Sequence, residues 1–371
     1  MSRFSTQEDM SVWLSTTMIQ ALRNLIDLYT FYFDILERTL EGLLDLLCVC
    51  ICQENDTLAR IGTSCFQQLL ESNAKKLSPG RWQLVVKTFV RLFKTTTPHQ
   101  LFDESLRAEI GENPVPDQDG KIVLRIRRYG SETLFSFTET PNSRLIPAPL
   151  SPSKPAKRQS AGDIIADRRR TFKQIIVKCV LQLLLIETTN ELLHNDDVYN
   201  TIPPDQLLHL MKVLDHSYQF ARSFNADKEL RTGLWKVGFM KHLPNLLKQE
   251  SSSAATLVNV LSRMYYDKRP EYLALHQQIG ERLVPLGLGV VEDFNTLRTD
   301  TQAKNIAAWT PVIAEVLNGF ASFDDHSFSR YLPAIYPLAT ELLSRDLAPE
   351  VREAVRRIFV RVGVAKGITM S

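Results

Sequence analysis

Glycine is scarce in this chain, 15 of 371 residues, and the alternation of apolar and polar residues that marks a half-buried strand is nearly absent. Both features weigh against a sheet-built fold and favour helices. No long apolar run occurs. The most apolar stretch, Leu43 to Ile51, is about half of the ~20 residues needed to span a bilayer and contains Asp45. The N-terminus, MSRFSTQEDM, has no apolar segment of the secretory kind. The chain therefore reads as soluble.

Charge of one sign is missing too. There are 44 basic and 42 acidic residues and a net charge of +2, so no global field points to nucleic acid. Cysteine is limited to Cys48, Cys50, Cys52, Cys65 and Cys179. An odd set of thiols inside apolar helical patterns fits a reducing, cytosolic environment better than a disulfide framework.

What is present is helical periodicity. Trp13, Leu14, Met18, Leu22, Leu25, Ile26 and Tyr29 recur at steps of three and four, and the spacing continues through Phe33, Leu36, Leu40, Leu43, Leu44 and Leu47. Asn55-Asp56 offers an N-cap to a helix with Leu58, Ile61, Cys65, Phe66, Leu69 and Leu70 on its buried stripe. Ser78-Pro79 supplies a cap oxygen and a first-turn proline to a helix carrying Trp82, Val85, Val86, Phe89, Leu92 and Phe93. These patterns define an N-terminal helical block, 11–100. A second block, 170–368, resumes near Phe172 with a long helix lined by Ile175, Ile176, Cys179, Val180, Leu183, Leu184, Ile186 and Leu193, and continues with helices over about 204–224, 227–240, 251–267, 271–295, 301–321, 328–345 and 349–363. About 40 residues per helix pair suits an all-α, right-handed superhelical array of HEAT- or armadillo-like repeats.

Between the blocks, 103–169 is rich in Pro, Ser and scattered charge. Too little apolar surface is available there to offset chain entropy, so it reads as a disordered linker. Within it, KIVLRIRRYGSETLFSF at 121–137 alternates around a Tyr-Gly-Ser turn as a small β-hairpin would.

Motifs with chemistry are few. Cys48, Cys50 and Cys52 form C-x-C-x-C, but on a helix their side chains diverge by ~100° per residue and cannot converge on one tetrahedral ion. Asp324-Asp325-His326 and His194-Asn195-Asp196-Asp197 sit at helix ends, where acidic residues act as caps. Gly287-Leu288-Gly289 lacks the ending of a phosphate loop and follows no strand. No nucleophile elbow, metal-binding helix or cofactor fingerprint occurs, so neither a catalytic residue nor a metal or cofactor site is assigned. The basic residues are more suggestive. Lys157 and Arg158 in the linker, then Arg168, Arg169, Arg170 and Lys173, either form a solvated stretch or contact an anionic membrane, where each cation adds about 1 kcal/mol. Ser151 and Ser160 resemble kinase sites, and phosphate there would oppose this positive charge.

Several stretches carry a resemblance. They are NDTLARIGTSCFQQLLES at 55–72 with LSPGRW at 77–82 and FKTTTPH at 93–99, then KCVLQLLLIETTNELL at 178–193. FARSFNADKELRTGLWKVGF at 220–239 follows, with PNLLKQE at 244–250 and RMYYD at 263–267, and LAPEVREAVRRIFVRVGVAKGI closes the match at 347–368. Together they resemble the last part of the region downstream of the exchange domain in the large, brefeldin A-inhibited Golgi exchange factors for Arf GTPases, the Sec-seven family. The Pro/Ser-rich linker suggests a fungal member. In that family a separate helical domain exchanges nucleotide by inserting a glutamate, and its Pro-Gly-Glu loop is absent from this sequence. The resemblance implies a non-catalytic control arm, cytoplasmic and peripherally held at the late Golgi. The partners it implies are activated Arf or Rab GTPases, the rest of the exchange factor and the Golgi membrane surface, with a homodimer as an alternative.

Within the third stretch, Phe220, Phe224, Trp235 and Phe239 read as repeat core. Arg231, Trp235, Lys236, Lys248 and Arg263 are the candidate interaction surface, either as a patch facing a partner or as an inter-helix polar network shared with Glu250. Asn245 and Gln249 are candidate caps.

Overall fold

A computed structural model describes the backbone of residues 7–107 and 161–368, and the side chains of 16–107 and 165–368. The expected hairpin at 121–137, and Ser151, Lys157, Arg158 and Ser160, lie outside the described residues. Every regular element among the described residues is helical.

The N-terminal elements are α1 (Gln7–Phe31), α2 (Phe33–Leu36), α3 (Leu40–Ile51), α4 (Asp56–Asn73) and α5 (Pro79–Thr96). Two short 3₁₀ turns, His99–Phe102 and Glu104–Arg107, follow. The C-terminal elements are α6 (Ala161–His194), α7 (Asp196–Thr201), α8 (Pro204–Ala226), α9 (Lys228–Lys236) and α10 (Leu247–Tyr266). They continue with α11 (Pro270–Asn295), α12 (Ala303–Ala321), α13 (Asp325–Leu342) and α14 (Pro349–Ala365).

Local chemistry explains most boundaries. The Asn55 side chain accepts a hydrogen bond from the Leu58 amide at 3.1 Å and so starts α4. Pro79 opens α5, but the Ser78 hydroxyl makes no capping bond, contrary to the sequence expectation. Proline alone suffices there, because it removes one of the amides that would need a partner. The apolar stripe shared by α1 and α3 is not one helix. The backbone leaves helical geometry at Tyr32, at φ −102° and ψ 32°, and passes through α2 and a 3₁₀ turn before resuming.

Two other boundaries differ from expectation. Helix α6 begins at Ala161, within the stretch read as linker: Asp163 and Asp167 lie near its N-terminus, where the helix dipole favours negative charge, and Ala166 and Arg168 to Arg170 are good helix formers, a polar sequence that composition alone does not separate from coil. Helix α9 stops at Lys236, short of 240, because Gly238 adopts φ +82°. The Phe239 amide then bonds the Leu234 carbonyl and the Gly238 amide bonds the Trp235 carbonyl, both at 3.0 Å. That pattern is a Schellman motif, in which the left-handed residue must be one without a Cβ.

One continuous apolar core runs from Ile26 to Ile358, and the stripe Trp82, Val85, Val86, Phe89, Leu92 and Phe93 is buried in it as expected. A second cluster joins Leu101, Leu106, Phe172, Ile175, Phe224, Leu230, Leu234 and Phe239. Ile176 and Val180, expected on the buried face of α6, are exposed, while Leu181, Leu184 and Leu185 are buried. The principal packing partners of each helix lie no more than four helices away along the chain. Glycine permits close approach at two crossings. A Cβ at Gly62 would meet Ile51 backbone and side chain at about 3 Å, and one at Gly287 would meet the Phe320 ring at 2.8 Å. Gly287 thus serves helix packing.

A buried polar chain ties the two blocks. The Gln182 amide group donates to the Phe93 carbonyl at 2.8 Å and to the Thr96 hydroxyl at 2.7 Å. The Thr96 hydroxyl donates to the Leu92 carbonyl, and Ser217 donates to the Gln182 carbonyl oxygen, both at 2.8 Å. Gln249 donates to the Ser217 hydroxyl at 3.1 Å. Helices α5, α6, α8 and α10 are linked in this one direction. Gln182→Leu should cost about 2–4 kcal/mol, because it strands the Ser217 hydroxyl and removes donors from a buried carbonyl and hydroxyl. Urea unfolding checks this, and a loss below about 0.5 kcal/mol would refute it.

Candidate interaction surface

The segment from the end of α8 to the first turn of α10 is a strap built around Asn225. Asp227 caps α9 by accepting from the Leu230 amide at 2.8 Å. The Asn225 side chain accepts from the Leu246 amide at 2.7 Å and donates to Glu250 at 2.6 Å. Arg231 reaches inward from α9, with Nε on the Pro244 carbonyl at 2.7 Å and Nη1 on the Asn225 carbonyl at 2.9 Å. The guanidinium replaces amide partners that the irregular backbone cannot supply to these carbonyls.

Charge in this strap is unevenly solvated. Glu250 is buried, and burial pushes its carboxyl above the usual range, partly offset by the Asn225 hydrogen bond. Arg222 and Arg231 face it, and so does Asp293, which Arg222 holds through two bonds at 2.8 and 3.0 Å. Burial lowers the pKa of Arg231, but a guanidinium stays charged. Arg231 and Glu250 are therefore structural.

The remaining candidates separate. Trp235 is 47% exposed, unlike Phe224, Phe239 and the partly buried Phe220, which do lie in core as expected. Its indole N–H points to the Lys241 carbonyl at 3.4 Å. Lys236 and Lys248 are exposed. Arg263 sits at the other end of α10, about 22 Å from Lys248 at 1.5 Å per residue. It stacks 3.6 Å above the Tyr199 ring and bonds the Leu193 carbonyl at 3.2 Å and Asp196 at 2.6 Å. The five candidates thus form a strap with a half-exposed tryptophan, plus a distant staple. Asn245 accepts from the Leu247 amide at 3.2 Å, and Gln249 belongs to the buried chain.

On α6, Arg169 and Arg170 are exposed and Arg168 is half-buried, its pKa lowered by burial. Arg170 lies 3.8 Å from Asp167 and Lys173 3.8 Å from Glu54. Exposed pairs at such distances contribute little.

Other motifs resolve into structure. Asp324 caps α13 by accepting from the Ser327 amide at 2.9 Å, which holds its carboxyl below the usual range. Asn195 caps α7. Cys48, Cys50, Cys52 and Cys65 are free thiols pushed up by burial, which makes them poor nucleophiles. No helix among the described residues is long and apolar enough to cross a membrane. A groove of about 620 Å³ between α13 and α14 holds Arg356, Arg357 and Arg361. Their guanidinium groups are already engaged by Glu353, Asn318, Asp325 and the Ala321 carbonyl. Gln182 and Asn225 were not singled out by sequence; a glutamine inside the run LQLLL was the available signal.

Two outcomes follow. Arg231→Ala should cost about 2–3 kcal/mol by leaving two carbonyls without donors and Glu250 short of a positive neighbour, and limited proteolysis should then cut first within 237–246. Intact kinetics of cleavage there would contradict the structural role. Glu250 has a raised folded pKa, so its neutral form is favoured by folding. Stability should be greatest below its unfolded pKa and should fall as pH rises through the folded value. Glu250→Gln should remove that fall, and an unchanged pH slope in thermal melts would count against it.

Comparison with known proteins places these features in a family. The family model described as the BIG2 C-terminal domain matches residues 180–360. The ADP-ribosylation factor guanine nucleotide-exchange factor sec72 of Schizosaccharomyces pombe is 37% identical over 96% of this chain and 19% of its own length. The exchange factor SEC7 of Saccharomyces cerevisiae is 36% identical over 98% of the chain and 20% of its own length. Brefeldin A-inhibited guanine nucleotide-exchange protein 1 of Homo sapiens is 28% identical over 96% and 21%. No solved structure matches. The chain spans about a fifth of the length of these relatives. Over nearly its whole length it corresponds to one region of a larger protein, and by that match it belongs to the Sec7 family of Arf guanine nucleotide-exchange factors.

Proposed function

We propose that this chain is a regulatory and interaction module of an Arf exchange factor, acting in vesicle traffic at the late Golgi. It controls recruitment or activity through contact with activated Arf or Rab GTPases and with the rest of the exchange factor. In this reading the helix pairs stack as a HEAT- or armadillo-like right-handed superhelix, cytoplasmic and peripherally attached to Golgi membrane. The near-neighbour packing of the helices supports the repeat reading, since each unit of such an array touches only those beside it.

The observation that carries the proposal is the near-complete match of this chain to one fifth of each exchange factor. A segment retained at that length without exchange chemistry is suited to regulating the part that has it. Buried Glu250 and half-buried Arg231 and Arg263 bond within the array itself, which leaves its outer surfaces for partners.

Purified chain tested by pull-down against Arf and Rab proteins loaded with GTP or GDP should retain one or more of them in the GTP form only. Equal weak retention of every form would remove the GTPase part of the proposal. A doubled mass in light scattering without nucleotide would favour a dimeric scaffold instead.

A further inference from the structure

The sequence places the α6 basic residues and the Trp235 region 65 residues apart, yet the fold brings them together. Phe172, two residues after Arg170 and one before Lys173, packs edge-on against Phe239 with ring centroids 5.0 Å apart. Ile165, Arg169, Phe172 and Ile176 follow one another at steps of four, three and four, so they share a stripe of α6. Ile165 and Ile176 are both exposed on it.

Beside this stripe stands the loop after α9. The Schellman motif at Gly238 turns the chain so that Phe239 enters the core while its neighbours stay outside. Trp235 is 47%, Met240 47% and Leu243 42% exposed. Lys236, Lys241 and His242 lie between them, and Lys248 is in the next turn. None of these three lysines forms an ion pair with a described residue. Residues 235–249 contain no carboxylate, and Glu250 is buried.

We propose that the 235–243 loop and the first turns of α6 form one surface that binds an anionic lipid bilayer. Trp235, Met240 and Leu243 enter the headgroup region, and the surrounding cations face lipid phosphates and carboxylates. Three large apolar side chains on a nine-residue loop cost solvation when exposed. A tryptophan with an apolar body and an N–H fits the membrane interface. The cations of the 235–248 segment itself are lysines, Lys236, Lys241 and Lys248, while Arg169 and Arg170 come from α6. Lysine acts as a point charge drawn to a diffuse negative surface, whereas protein hot spots favour planar, bidentate arginine. Amphipathic, Lys-rich elements with Trp and Leu sit in this way about 5–10 Å into the interface. The proposal rests on the membrane attachment of the proposed function and names its surface, and because its test uses no GTPase, its failure leaves the GTPase contact untouched.

The test uses the whole chain with vesicles of phosphatidylcholine alone or with about 30 mol% phosphatidylserine. Cosedimentation should occur with the anionic vesicles only and weaken with salt. Trp235 emission should shift to the blue and be quenched by brominated lipid, and Trp235→Phe should remove that signal while keeping most binding. Lys236→Glu with Lys241→Glu, and separately Met240→Ser with Leu243→Ser, should each lower binding at least about tenfold. All these positions are exposed, so circular dichroism and thermal midpoint should stay at wild-type values. No sedimentation, equal sedimentation with neutral vesicles, unquenched Trp235, or binding that survives both double variants would each overturn the proposal. Loop-dependent capture of an acidic protein without vesicle binding would assign the surface to a protein and overturn it as well.

Discussion

The hydrogen-bond chain from Gln249 through Ser217 and Gln182 to Thr96 is the constraint on which the rest of this structure depends. Apolar packing is tolerant of sliding, because one leucine can replace another's contacts after a small shift. A buried amide is not, since each of its donors and acceptors loses on the order of 1–3 kcal/mol when unpaired. Gln182 has two donors and an acceptor that must meet α5 on one side and α8 on the other. This fixes the axial position of α6 between them and registers the N-terminal helices on the C-terminal ones.

The strap depends on that registration. Gln249 lies one residue before Glu250, so the chain that locates Gln249 on α8 also places Glu250 against Asn225. Asn225 then holds the Leu246 amide, Arg231 holds the Pro244 carbonyl, and the loop between α9 and α10 has a defined shape without secondary structure of its own. Buried polar residues here do indirect work for an exposed surface.

Much of the fold was legible because its signals are local. The Asn55 cap, the Pro79 start and the Trp82–Phe93 stripe each need only a few neighbouring residues to be read. Three features were not legible in that way. The break at Tyr32 interrupts a stripe whose period continues through it, so periodicity alone joins α1 to α3. Ile176 and Val180 lie on an apolar pattern wider than the face α6 buries. Trp235 shares helical spacing with core aromatics, and only the Gly238 turn decides that Phe239 goes in while Trp235 stays half out. For Arg231 and Arg263 the sequence leaves a network and a patch equally open, because their partners, the Pro244 carbonyl for one and the Leu193 carbonyl and Tyr199 ring for the other, belong to neighbouring elements that periodicity does not place.

The same view explains what the family resemblance is made of. Thr96 lies in FKTTTPH, Gln182 in KCVLQLLLIETTNELL, Asn225 and Arg231 in the third stretch, Gln249 and Glu250 in PNLLKQE, and Arg263 in RMYYD. Each of these stretches supplies a buried or half-buried polar group whose partner lies in another of them or at its edge. Stretches chosen for likeness to exchange factors are thus largely those that must match one another for the helices to register. Likeness of this kind identifies a common architecture strongly and a common partner weakly. A partner surface can diverge while Gln182 and Arg231 remain, because neither touches it.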